Sequence, residues 1–482
     1  MRVFEYLYLA LLIGSILSSF LRRRILQHFI FYSCILILLL HVLIEGVRWQ
    51  IYLGYFAFVL CAILFIKQNF IKWQKITLSA FGIISCLFSI ALGVAMPVIQ
   101  FPEPSGSFSI GVESIYLEDK TRKEILTRDN KDYRKLTAHI WYPSYDKIHK
   151  PEKYMDNGVA EAFATSKGMP SFIASHFDLT KIHIEHSLPI IKDKKMPVII
   201  LSHGLLWNSE MYVSIIEEIV SQGYIVVGID HLYESFFTTH KGEKIKWNQD
   251  NIDRMNVGLD FKYMKSKMDL GLNEKNDKIR TQAIEELIEY LPYFESLDRW
   301  SDDISFVIDQ ILLLNTKPES FLYQKINQEQ IGLLGHSWGG AAVVQQSTAN
   351  PKIKAVINMD GAQWGRASDS ILKTPLMLMH ADRDYSTFFT PNFYVYHKIA
   401  KNDVYLATIT SADHANFGDL SYWSKIKSLT QTGTIHEERM SHITNKLILC
   451  FFDKYLKGKD VKIQDKFVEQ YPEVEINRTI PF

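Results

Sequence analysis

The sequence predicts a three-layer α/β domain, with a mostly parallel sheet and helices on both faces, preceded by an N-terminal four-helix transmembrane region. Three observations predict it. Four long apolar runs crowd into the first 100 residues; beyond residue 107 strand-like and helix-like patterns alternate; and one strand ends on a Gly-x-Ser-x-Gly turn that opens a small-residue helix. The 482 residues leave room for more than one domain, and a hydrophobic content of 47% is that of a folded chain. The expected organisation is a transmembrane region over 1–100, a linker at 101–106, and an α/β domain over 107–482.

The four apolar runs are 3–21, 25–44, 47–66 and 76–98. Each comes close to the roughly 20 residues that a spanning helix needs. The third is the weakest, because Arg48 and Gln50 fall in its first turn. The first is not read as a signal peptide, since Arg22, Arg23 and Arg24 stand where a small-residue cleavage site would lie. Short cytoplasmic loops collect Lys and Arg. Arg22 to Arg24 lie between the first and second runs, and Lys67, Lys72 and Lys75 between the third and fourth, whereas the second loop offers only Arg48. Both ends of the bundle are therefore expected outside, with everything after about residue 100 extracytoplasmic.

Charge and cysteine usage narrow the class. Residues 1–100 hold eight Lys/Arg against two acids, a net of +6, and because the whole chain is formally neutral the remainder carries −6. A mildly acidic remainder offers no basic face to a phosphate backbone, which argues against nucleic acid. Cys34, Cys61 and Cys86 fall inside apolar runs and Cys450 in a late helix, so no disulfide pair is suggested. An exported domain without disulfides fits a bacterial cell membrane.

The stretch "FPEPSGSF" (101–108) is the linker. After it, "KLTAHIWYP" (135–143) and "MPVIILSHG" (196–204) read as strands, "SEMYVSIIEEIVSQG" (209–223) as a helix ending on Gly223, and "YIVVGIDH" (224–231) as a buried strand. A helix at 301–314 precedes a strand at 330–335, a helix follows Ser337, and strands at 353–361, 374–381 and 404–414 lead to a final helix at 442–458. Such alternation builds a mostly parallel sheet covered on both faces. Two insertions, 150–190 and the charge-rich 233–298 with a helix at 281–291, interrupt the rhythm and are expected over the carboxyl ends of the strands as a cap.

The chemistry centres on "IGLLGHSWGGAAVV" (331–344). A Gly-x-Ser-x-Gly alone is weak evidence. Its setting here, after a strand and before a helix, is the one a nucleophile elbow requires. Side chains at 335 and 339 would collide with the neighbouring strand and helix, and the helix start aims N–H groups at any anion formed beside Ser337. A serine hydroxyl needs a base and an orienting acid, expected in the order Ser, Asp/Glu, His. His414, in the loop "TSADHANFGDL", is downstream of both candidate acid positions; His380 lies within a strand, and His436 and His442 lie in or before the last helix. The acid is either Asp360 in "INMDG" or one of Asp382 and Asp384 in "HADRD", which pattern alone does not separate.

"PVIILSHGL", "IVSQGYIVVGIDH", "GHSWGGAAVV", "MDGA" and "ITSADHANFGDL" together resemble the platelet-activating factor acetylhydrolase family, its plasma-type and intracellular type II group with bacterial relatives. The resemblance runs through most of 107–457, including "KLTAHIWYPS", "GMPSFIASHF" and "DDISFVIDQI", and leaves the four apolar runs unexplained. It implies an α/β-hydrolase fold, a triad of Ser337, His414 and Asp360, and oxyanion N–H groups from Leu205 and Trp338. Trp338 replaces a common Phe, which a backbone donor tolerates. Asp413 beside the base is a second departure, which either raises the basicity of His414 or caps a turn.

The function expected is that of a membrane-anchored serine ester hydrolase cleaving short or oxidised acyl esters, with phospholipid as a candidate substrate. No cofactor or metal is called for: the pair His183 and His186 in "HIEHS" lacks further ligands, and no phosphate-binding glycine loop is present. Two alternatives stand beside it, a general carboxylesterase or dienelactone-hydrolase-like enzyme acting on soluble esters, and a non-catalytic membrane sensor that retained the fold.

Overall fold

A computed structural model describes residues 1–21, 23–67, 69–155, 158–166, 168–256, 259–291, 294–363, 365–382, 396, 398–463 and 469–479. By contacts the chain divides into two compact units. One comprises Met1–Gln100, Lys153–Lys181 and Ser421–Thr430; the other comprises Phe101–Glu152, Ile182–Leu420 and Gln431–Phe482.

The first unit is built on four helices, α1 (Val3–Ser18), α2 (Arg24–Leu40), α3 (Tyr52–Ile66) and α4 (Lys72–Ala95). Tyr8, Leu9, Leu12, Ile16, Cys61 and Cys86 form its inner seam. Ile25, Phe29, Leu36, Val59, Ile63 and Leu87 face outward although apolar. A water-soluble bundle would bury such a face; a lipid-facing one exposes it. Arg24–Glu45, Trp49–Ile66 and Lys72–Ala95 are long and apolar enough to cross a membrane, and Val3–Ser18 is a shorter apolar helix. The weak third run is explained by pairing. Arg48 is fully buried and grips Glu5 through two contacts of 2.6 Å, so its charge is matched at one end of the bundle.

The segments 153–181 and 421–430, which the sequence assigned to the α/β domain, pack with these helices. The Trp49 indole donates to the Ile173 carbonyl and meets Phe172 edge-on, and Ser424 Oγ donates to the Ala95 carbonyl.

The second unit is organised by a ten-stranded sheet. Its strands are β1 (Ser109–Lys123), β2 (Tyr133–Ser144), β3 (Ile184–His186), β4 (Met196–Ser202), β5 (Ile225–His231), β8 (Ile326–His336), β9 (Ile353–Met359), β10 (Leu376–Ala381), β11 (Val404–Ile409) and β12 (Val474–Thr479); β6 (Phe237–His240) and β7 (Glu243–Lys246) form a separate hairpin. The order is β12-β11-β10-β9-β8-β4-β5-β2-β1-β3. Pairing is parallel from β11 through β5 and antiparallel at β5–β2, β2–β1 and β11–β12. Strands β4, β5 and β10 are buried along their whole length, as strands covered on both faces must be. The mostly parallel α/β architecture expected from the sequence is the one present.

Helices Phe294–Leu314 and Trp338–Ala349 share a core with β4, β5, β8 and β9 through Trp300, Ile304, Val307, Ala342 and Val343, all fully buried. The second insertion contributes to that core as well. Ala283, Ile284, Leu287 and Ile288 on Asp277–Tyr290 are buried, so this helix is anchored in the domain and is more than a solvated decoration.

Candidate active site

Strand β8 runs buried from Ile331 to His336 and then stops at Ser337, where the backbone turns into the helix Trp338–Ala349. Ser337 has φ +54° and ψ −118°, a left-handed conformation that costs a non-glycine residue about 1–3 kcal/mol. The flanking glycines make the turn possible. A Cβ on Gly335 would lie 2.2 Å from the Gly339 carbonyl oxygen, and one on Gly339 would lie 2.2 Å from the Ser202 carbonyl oxygen. The elbow is therefore pressed against the end of β4, with the Ser337 N–H bonded to the Met359 carbonyl at 2.8 Å.

Three side chains meet there. The Ser337 hydroxyl donates to His414 Nε2 at 2.9 Å, and His414 Nδ1–H donates to Asp360 Oδ2 at 2.6 Å. Asp360 sits just past β9, fully buried, with its other carboxylate oxygen accepting the Ala381 N–H at 3.0 Å. His414 heads a short 3-10 turn after β11 and keeps 31% of its side chain exposed. A buried carboxylate on one ring nitrogen fixes the tautomer that leaves the other free to take the serine proton.

The loop after β4 packs against the serine. A Cβ on Gly204 would stand 3.3 Å from Ser337 Cβ, so this backbone abuts the serine. The next residue, Leu205, has a backbone N–H that meets no acceptor among the described residues. Trp338 is the first residue of the helix behind the serine. A directed chain of hydrogen bonds holds the loop, the elbow and His414 together. The Gly204 N–H donates to the Tyr212 oxygen at 3.0 Å, the Tyr212 hydroxyl to His336 Nδ1 at 2.8 Å, and His336 Nε2–H to the His414 carbonyl at 3.1 Å.

Behind the loop lies a second set of buried polar groups. His203 Nδ1–H donates to the Gly204 carbonyl at 2.7 Å, and its Nε2 accepts from Ser235 Oγ at 2.9 Å and the His231 N–H at 3.2 Å. Burial pushes the His203 imidazole down to about 4, so it is the neutral ring that this pattern requires. The Leu206 N–H donates to the Glu234 carbonyl, and the Glu234 carboxylate is held by Arg299 and by the Trp300 indole at 2.8 Å. Arg134 joins this network through Asp303 at 2.6 Å, and Asp303 also accepts from His231 Nδ1–H at 2.8 Å. Such paired charges are costly to bury singly, and removing one partner strands the other.

The structure thus brings together Ser337, His414 and Asp360, with Leu205 and Trp338 on the backbone around the serine. Of the other candidate acids, Asp382 is exposed beyond β10 and Asp384 lies outside the described residues. Asp413 caps the turn. Its carboxylate accepts the His414 N–H at 2.6 Å, and its own N–H donates to Asn416 Oδ1 at 2.8 Å. His183 bonds Glu217 at 2.9 Å and Glu103 at 3.2 Å, while His186 Nδ1 meets the Val112 carbonyl, so the two rings take separate partners. His380 is buried in β10, His436 precedes the last helix beside Glu437, and His442 bonds Tyr471. Sequence reasoning missed Tyr212, His336 and His203. Only "HG" and "GHS" hinted at the two histidines, and Tyr212 reads in sequence as one more apolar helix residue.

Comparison with known proteins places this geometry in context. The family model described as platelet-activating factor acetylhydrolase, isoform II, matches residues 94–473. The match begins where α4 ends. Platelet-activating factor acetylhydrolase of Cavia porcellus is 24% identical over 368 residues, covering 74% of this chain and 78% of its own length. That of Bos taurus is 23% identical over 440 residues, covering 86% and 90%. A probable 1-alkyl-2-acetylglycerophosphocholine esterase of Arthroderma benhamiae is 24% identical and covers 59% and 65%. Among solved structures, a ferulic acid esterase from Streptomyces cinnamoneus superimposes with a TM-score of 0.61 at 20% identity, covering 79% of this chain and 99% of that one, and shows the shared α/β-hydrolase fold.

Proposed function

The chain belongs to the family of platelet-activating factor acetylhydrolase, isoform II, and from that premise we propose that it is a membrane-anchored serine ester hydrolase that removes short or oxidised acyl groups, with glycerophospholipid sn-2 esters as its substrate class. The observation that carries the reading is the unbroken relay from Ser337 Oγ through His414 to Asp360, at 2.9 and 2.6 Å.

In this reading Ser337 attacks the ester carbonyl while His414 Nε2 takes its proton. The negative charge that develops on the carbonyl oxygen is met by the N–H groups of Leu205 and Trp338, backbone donors set in place before the reaction and therefore free of reorganisation cost. His414 returns the proton to the departing alcohol, then activates water to release the acyl group from Ser337. Asp360 stays ionised and holds the imidazole.

The same proposal places the catalytic unit outside a bacterial cell membrane. Arg23, Arg24, Lys67, Lys72 and Lys75 gather at one end of the helices, whereas Arg48 at the other end is neutralised by Glu5. That asymmetry is the one that marks the cytoplasmic side. Protease added to intact spheroplasts should digest the catalytic unit; full protection would reverse the orientation. For the substrate, release of fatty acid is followed across phosphatidylcholines carrying sn-2 groups from acetyl to palmitoyl. The account expects turnover to fall steeply with chain length, and equal rates along the series would refute the short-acyl preference.

A further inference from the structure

The end of the helical unit opposite to the Arg48–Glu5 pair encloses a cavity of about 300 Å³. All four helices contribute. Ser15, Ser18 and Ser19 come from the end of α1, Arg24, Gln27 and His28 from the start of α2, Lys67 from the end of α3, and Lys75 from the start of α4. Leu21, Leu64, Phe65 and Phe70 make up the apolar part of the wall.

Three features of this lining point to an anion. First, it holds three cations, and Glu5 and Glu45, the acids among residues 1–100, lie at the other end. Second, no carboxylate pairs with Arg24, Lys67 or Lys75 among the described residues. Lys75 donates to the Ser19 carbonyl and stands over Phe20 at 5.0 Å, and Lys67 stands over Phe70 at 5.3 Å. Third, the Ser19 hydroxyl oxygen is buried in this wall and has no hydrogen-bond partner among the described residues. The neighbouring polar groups are already used: Gln27 Nε2 donates to the Ser18 and Leu21 carbonyls, and Ser18 Oγ donates to the Ser15 carbonyl. A buried donor left over beside unpaired cations is a site short of an acceptor with several oxygens.

We propose that this cavity binds a phosphate group, carried by an anionic phospholipid of the adjacent leaflet, with Arg24, Lys67 and Lys75 on the phosphate oxygens, Ser19 Oγ donating to it, and Phe65 and Phe70 against the glycerol and first acyl carbons. Basic pockets between helices at the cytoplasmic level suit such headgroups. The proposal rests on the four helices lying in a bilayer and is independent of the esterase reading. Its lipid is a structural ligand held at the end of the bundle and is separate from the substrate class.

The test uses the full chain in detergent, exchanged with phosphatidylglycerol, cardiolipin or phosphatidylcholine and analysed by native mass spectrometry. Anionic lipid should be retained about tenfold better than phosphatidylcholine, and Arg24→Gln and Lys67→Gln should each weaken retention roughly fivefold. Labelling of Ser337 by a fluorophosphonate should stay at the wild-type rate in both variants, which also reports that they are folded. Equal retention of phosphatidylcholine, or unaltered retention in labelling-competent variants, overturns the proposal. Millimolar inorganic phosphate serves as the competing arm. Displacement of lipid by phosphate alone assigns the pocket to a free anion, whereas retention of lipid in its presence assigns it to the headgroup.

Discussion

Replacing Asp360 by asparagine exchanges one oxygen for an NH₂ group in a fully buried position. The Ala381 N–H needs an acceptor at 3.0 Å, so the asparagine carbonyl takes that place and the NH₂ faces His414 Nδ1 at about 2.6 Å. Nδ1 must then accept, the ring proton moves to Nε2, and Nε2–H points at Ser337 Oγ where a free lone pair is required. The base is present, correctly placed and in the wrong tautomer. Loss of this kind is worth about 10⁴ in kcat, or roughly 5.5 kcal/mol of transition-state stabilisation at about 1.36 kcal/mol per factor of ten. Hydrolysis of a chromogenic acetyl ester by purified Asp360→Asn measures it, with thermal unfolding as the control for folding. Exposed Asp382, changed to asparagine, should retain activity within about twofold, since surface changes away from a site rarely exceed about 0.5 kcal/mol. An Asp360→Asn enzyme within tenfold of wild type, or an inactive Asp382→Asn, would refute the assignment of the acid.

Three further outcomes are expected. Tyr212→Phe leaves the Gly204 N–H and His336 Nδ1 without their shared hydroxyl, so thermal unfolding should show a loss of about 1–3 kcal/mol and kcat should fall with KM little changed. Gly339→Ala drives a Cβ into the Ser202 carbonyl at 2.2 Å, and should cost about 3 kcal/mol or more in stability along with activity. Below pH 6.5 the unfolded chain protonates His203 while the folded one, held down to about 4, does not. Stability from this group is therefore complete above pH 6.5 and declines by about 3 kcal/mol as the pH falls to about 4. His231, also lowered by burial, acts in the same direction. Melting temperature against pH should accordingly slope more steeply in wild type than in His203→Asn.

How much of this was legible in the sequence depends on the range of the interactions involved. The parallel strands were visible because burial on both faces leaves unbroken apolar runs such as "PVIILS" and "YIVVGID". Strand β1 was not named as a strand, although most of its 15 residues pair antiparallel with β2, because buried, half-buried and exposed positions are mixed along it without a clean alternation. The antiparallel edge β12 is short and charged for the same reason. Linear boundaries could not foresee that 153–181 and 421–430 cluster with the first hundred residues, since those contacts span large sequence separations. Ser337 and His414 stood out through local signals, a strand-turn-helix and a loop after the last parallel strand. Asp360 could not be separated from Asp382 by local pattern, because only depth in the fold distinguishes a fully buried carboxylate from an exposed one. Tyr212 was hidden altogether, its role being carried by one hydroxyl on a helix face that otherwise reads as core.

The central claim is that Ser337 is a nucleophile activated by its neighbours. A fluorophosphonate probe added to the intact membrane-bound protein, followed by peptide mass spectrometry, tests it most directly. The account predicts one adduct, on the peptide containing "GHSWGG", absent in Ser337→Ala and strongly slowed in Asp360→Asn. An unlabelled wild-type protein, or labelling that persists in Ser337→Ala, would contradict it.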